Sequence, residues 1–237
     1  MKRQINNLRR KKKRVIVGIE TGNTPGRLGA VVVEVSGNGS DTVLDLYGFR
    51  SYPLPAEILA TLKILNENKG FDSEEIAGIN FLVLHHLSKL YGKVMDEVGA
   101  QLGDVDMIGL KCMEVGGEIF PSDPSVLSEM TNRIVASRFS IGVENGSGGF
   151  LPVRESILQG MVGDMVKRFG LESEVREAVA VALLANESLF HESSEACMVD
   201  GEGNPEARRP SLRAVKRTHI QAGGGKAVLC GEFFFPV

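Results

Sequence analysis

With 237 residues, 43% of them hydrophobic and 24% charged, the chain has the make-up of a soluble globular protein able to bury a substantial core. No apolar run approaches the ~20 residues that cross a bilayer and no apolar leader opens the chain, so a soluble, cytoplasmic protein without a membrane partner is expected. The net charge of -3 is unevenly spread: 8 of the 27 basic residues lie in the first fourteen positions, leaving 19 basic against 30 acidic residues elsewhere, a poor surface for polyanions.

Residues 1–14 lack apolar periodicity and are read as a disordered basic tail. Their "RRKKKR" run is also readable as a nuclear address, and any nucleic-acid affinity would come from it. Val15 to Glu20, Ala30 to Ser36 and Thr42 to Phe49 then read as three successive strands, paired antiparallel and separated by Gly, Asn, Ser and Asp turns. The loop between the first two contains Gly22, Asn23, Thr24 and Gly26. Such a loop can hold a phosphate or be an ordinary hairpin, and glycines alone account for the turn.

After "YPLP", which cannot continue a central strand, Ala56 to Glu67 reads as a helix. Asp72 with Glu75 forms a capping box for a second, long helix, whose Ile76, Ile79, Val83, Leu87, Leu90, Val94 and Val98 recur every three or four residues and which is expected to end near Gly103. "DMIGLKC" is a short buried strand. Pro124 opens a helix expected to reach about Phe139, and "SIGV" follows as a strand parallel to the last. "GSGG", 146–149, reads as a flexible connection, Ser156 to Phe169 and Ser173 to Phe190 as helices, 192–213 as a mobile loop, and Ala227 to Phe235 as a final strand. Three cysteines without a C-x-x-C pair, and four histidines without i, i+4 spacing, offer neither a disulfide framework nor a zinc site.

Three strands followed by helix, strand, helix and strand is the order of one lobe of the sugar kinase, actin and heat-shock ATPase fold. Within it, "VIVGIETGNTPGRLGAVVVEV", "LSKLYGKVMDEVGAQLGDVDMIGL", "DPSVLSEMTNRIVASRFSIGVENGSGGFLPV", "EAVAVALLANESLF" and "AGGGKAVLCGEFFFP" resemble, in order, segments of the anhydro-N-acetylmuramic acid kinases. The resemblance implies an α/β fold with a ribonuclease H-like lobe, a mixed sheet with flanking helices, and a truncated second lobe. It divides the chain into the tail, a lobe at 15–153 and a remnant at 154–237.

It further implies an ATP-dependent kinase of 1,6-anhydro-N-acetylmuramic acid, using ATP and Mg2+ if active, acting on an amino sugar as a homodimer. Gly22, Asn23 and Thr24 fall on its first phosphate loop, Glu144 or Asn145 on its catalytic aspartate, and Glu177 on a glutamate that faces the sugar. A sugar kinase needs a carboxylate to accept the proton of the attacking hydroxyl, which Glu144 could supply and Asn145 could not.

The departures are equally specific. Gly26 and Gly29 stand where the family's loop carries two aspartates, "KCME" at 111–114 replaces its His-Gly-Gln-Thr motif, and only one helix's worth of sequence separates "GFLPV" from "REAVA". Two readings follow: a kinase with weak or absent turnover, or a non-catalytic relative kept for binding or oligomerisation.

Overall fold

A computed structural model describes residues 2–21, 26–38, 41–67, 71–99, 105–115, 118–121, 123–144, 150–152, 173–190, 214–222 and 225–236. Its central feature is a mixed eight-stranded sheet. The strands are β1 (Lys13–Glu20), β2 (Arg27–Ser36), β3 (Val43–Pro53), β4 (Met107–Lys111), β7 (Ile134–Glu144), β8 (Phe150–Pro152), β9 (Ala214–Ala222) and β10 (Gly225–Phe234). They run in the order β3-β2-β1-β4-β7-β10-β9, with β8 paired to β7, while β5 (Met113–Val115) and β6 (Glu118–Phe120) form a separate ribbon.

The first three strands are antiparallel neighbours, as their turn chemistry predicts. β4 and β7 run parallel to β1, and the chain makes each of those connections through helices. The α/β class and the mixed sheet with flanking helices therefore stand.

Alternation along the strands sends side chains to two apolar layers. On one face Val17, Ile19, Ala30, Val32, Ile108, Leu110 and Val135 meet α2 (Ala56–Glu67), α3 (Ser73–Val98) and α4 (Pro124–Thr131). On the other face Ile16, Val31, Val33, Met107 and Ala136 meet α1 (Lys2–Arg10) and α5 (Ser173–Leu189).

The Asp72 capping box is formed: Asp72 accepts from the backbone amides of Glu74 and Glu75 while the Glu75 carboxylate accepts from the Asp72 amide. Several boundaries differ from the sequence reading. α3 stops at Val98 because Gly99, at φ 65°, takes the left-handed cap four residues before Gly103. α4 stops at Thr131 rather than near Phe139, because Asn132 adopts φ 52° and the β-branched run from Ile134 enters β7.

The basic tail is corrected as well. Residues 2–10 form a helix whose Ile5 and Leu8 are buried against α5, and β1 begins at Lys13, within the segment read as disordered. The two apolar residues, three apart, lie on one side of a single helical turn, too short a pattern to stand out among eight cations. β9 is a further strand that the sequence reading did not assign.

The sheet crosses the division at residue 153, since α5 packs on β1, β2 and β4 and β10 pairs with β7. The expected helix from Ser156 to Phe169, the "GSGG" connection and the loop at 192–213 lie outside the described residues.

Candidate functional site

The carboxyl ends of β1 and β4 lie side by side, with Glu20 level with Lys111. In open α/β sheets this edge is where ligands bind. Two glycines bring α5 to it. A Cβ on Gly109 would lie 2.7 Å from the Val181 carbonyl oxygen, and one on Gly18 would collide with the carbonyl oxygen of Ala178. Small residues on the helix, Ala178, Ala182 and Ala185, complete the close approach. The first turns of α5 therefore sit over the ends of the two strands.

Glu177 projects from this part of α5 and meets Lys111, with Oε2 3.7 Å from Nζ. Both side chains are partly exposed, at 39% and 29%, while Glu177 Oε2, the oxygen facing Lys111, is itself buried. Thr21, buried just past the end of β1, donates to the Lys111 carbonyl at 2.8 Å. Beside them Ser137 donates to the Leu110 carbonyl at 2.9 Å. That commits the serine proton, so in the 3.3 Å contact of Ser137 Oγ with Cys112 Sγ the thiol is the donor.

The carboxylate of Glu20 lies over Gly29, its Oε1 2.7 Å from where a Cβ there would stand. Gly29 is the position of the second aspartate in the resemblance. A carboxylate thus occupies that neighbourhood although the residue itself, in β2, is glycine.

Of the residues singled out from sequence, Glu177 is brought to this edge. Gly22, Asn23 and Thr24 lie outside the described residues, between Thr21 and Gly26. Glu144 is the last residue of β7, opposite Phe150 of β8. β7 pairs with β4 only as far as Leu110 with Ser137 and then runs on beside β10. Glu144 thus ends a stretch of β7 that continues beyond the level of Lys111 for roughly 20 Å of extended chain.

The sequence reading did not single out Lys111, Thr21 or Ser137 as site residues. For Lys111 a signal existed, a cation ending the buried run "MIGL", whereas Thr21 and Ser137 carry nothing that marks them before the strands are aligned. Among the described residues no group of three His, Cys, Asp or Glu side chains could hold a metal ion.

No family model matches the chain. Among curated proteins it is similar to an anhydro-N-acetylmuramic acid kinase of Caldanaerobacter subterraneus subsp. tengcongensis. The two are 26% identical over 165 residues, a span covering 62% of this chain and 42% of the relative. The similarity supports a sugar-kinase-like relationship. The chain matches less than half the length of that kinase. No described helix is long and apolar enough to cross a membrane.

Proposed function

We propose that this chain is a sugar-kinase-like protein with a ribonuclease H-like lobe, related to the ATP-dependent kinases of 1,6-anhydro-N-acetylmuramic acid, with weak or absent phosphoryl transfer. The observation that carries the reading is the position of Glu177, which the resemblance matches to a sugar-facing glutamate, over the carboxyl ends of β1 and β4, the edge where open α/β sheets bind ligands. The strand order β3-β2-β1-β4-β7, with only β2 antiparallel to its two neighbours β1 and β3, supports the lobe assignment.

In this reading the amino sugar binds at this edge, where the Glu177 carboxylate accepts from sugar hydroxyls or an amide and Lys111 orients that carboxylate. Gly22, Asn23 and Thr24 contribute what remains of a phosphate loop. Glu144 is the residue in the register of the catalytic base, but the long run of β7 argues against its reaching a sugar held by Glu177. Magnesium in such sites is held by one or two carboxylates together with the phosphates, and Glu20 is the carboxylate beside Gly29 that would be nearest to it.

The alternative, a non-catalytic relative that binds or assembles, is favoured by the same separation and by glycine at 26 and 29. A thermal-shift titration with 1,6-anhydro-N-acetylmuramic acid tests the sugar site. Saturable stabilisation of the natural chain, lost in Glu177→Gln, supports it, and an unchanged melting temperature across the titration overturns it.

A further inference from the structure

β3 is the outer strand of the sheet: among the described residues it pairs with β2 alone. Natural sheet edges are guarded by shortness, charge, proline or a bulge. β3 has its proline only at its last position, Pro53, and a single bulge, and over its eleven residues it exposes Val43, Leu46, Tyr47 and Tyr52, at 58%, 43%, 52% and 38%. Its two charged residues, Asp45 and Arg50, are of opposite sign and both exposed.

The pairing with β2 shifts register at Val32/Val33, which face Gly48 and Leu46, so Tyr47 is an extra residue bulged out of the ladder. The bulge changes which positions share a face. Val43 and Asp45, before it, lie on the α3 side with Gly48, Arg50 and Tyr52, after it. Leu44 and Leu46 lie on the opposite side with Phe49 and Ser51. Contacts agree: Lys93 of α3 lies over the Tyr52 ring, while Leu44 and Phe49 pack with the α5 layer.

We propose that β3 pairs antiparallel with β3 of a second copy of this chain, about a two-fold axis passing between Tyr47 and Gly48. In that register Asp45 faces Arg50 of the other copy, Val43 faces Tyr52, Leu44 faces Ser51 and Leu46 faces Phe49. Every facing pair shares a side of the joined sheet, which holds only because the bulge lies at the centre. Each Asp45–Arg50 pair occurs twice, so the strand is complementary to itself in charge as well as in apolar content. Arg50 also pairs with Glu97 of α3 in its own chain, and its forked guanidinium can serve both carboxylates.

Sedimentation velocity of the full chain, over a range of concentrations, tests the proposal. The natural chain dimerises reversibly. Asp45→Arg and Arg50→Asp each turn two attractive pairs into repulsive ones and weaken self-association by about tenfold or more. Mixed in equal amounts, the two variants restore the dimer. The arginine introduced in one then faces the aspartate introduced in the other, while the first variant's Arg50 faces the second's Asp45. Circular dichroism and Leu46→Lys, which buries a cation in the same seam, guard against a folding defect in either variant. A monomer at all concentrations, a dimer indifferent to Asp45→Arg and Leu46→Lys, or failure of the folded pair to re-associate overturns the proposal. None of these outcomes bears on sugar binding.

Discussion

Gly18 in β1 lies directly beneath the carbonyl of Ala178 in α5, and this contact sets how close the helix carrying Glu177 can come to the sheet. A methyl group at Gly18 has nowhere to go, since both the Ala178 carbonyl and the Ala182 methyl stand in its path. Gly18→Ala and Gly109→Ala are each expected to destabilise the chain by about 1–3 kcal/mol through overpacking. Gly78→Ala and Gly92→Ala in α3, where a Cβ meets nothing within 4 Å, are expected to stabilise it by up to about 1 kcal/mol. Urea midpoints of the four variants check the contrast.

Arg14 is buried to 2% exposure, and its guanidinium is spoken for. Nε donates to Asn186 at 2.7 Å, Nη1 to the Lys11 carbonyl at 2.6 Å and Nη2 to the Gly37 carbonyl at 2.8 Å, while the group sits 4.7 Å from the centre of the Phe190 ring. It thus ties the start of β1 to the end of β2 and the last turn of α5. Arg14→Met removes the donor to Asn186 Oδ1 and to the Lys11 carbonyl, while the Gly37 carbonyl keeps the Asn186 amide at 3.2 Å, and is expected to cost about 3 kcal/mol. Arg14→Lys does not restore the loss, because one ammonium cannot span the fork. Equilibrium unfolding of both variants checks this.

Glu34 accepts from Lys13 and from the Tyr47 hydroxyl at 3.1 Å. The hydrogen bond from Lys13 is the leading cause that holds its carboxyl below the ordinary 4.5. A depressed carboxyl stabilises the fold above its unfolded value and loses that contribution as pH falls through the folded one. Lys13→Met is therefore expected to raise the Glu34 titration midpoint, and the stability difference between variant and natural chain is expected to shrink as the pH drops below 4.5. Carboxyl NMR titration gives the first, and urea unfolding at several pH values the second.

The fold was legible wherever periodicity is local. The Asp72 capping box, the helix at 56–67 and the three antiparallel strands all announce themselves within a few residues. What escaped depends on partners far away in sequence. α1 is held by two apolar residues against a helix some 180 positions on, and Arg9 donates to the Leu189 carbonyl at that same junction.

The run read as a nuclear address also has structural uses. Lys11 pairs with Asp106, Lys13 with Glu34, and Arg14 is interior. Glu177 is singled out by the resemblance, while its ion-pair partner Lys111 follows from β4 ending beneath α5, with only a cation closing the run "MIGL" to mark it in the sequence.

Whether this sugar-kinase-like chain has the weak or absent phosphoryl transfer proposed above is tested by a direct phosphotransfer measurement. The full chain is incubated with Mg-ATP and 1,6-anhydro-N-acetylmuramic acid, with phosphorylated sugar followed by phosphorus NMR and nucleotide binding by calorimetry. The expected result is no sugar phosphate above a weak trace and no tight nucleotide binding. Saturable ATP binding with sustained turnover, abolished in Glu144→Gln, would contradict the account.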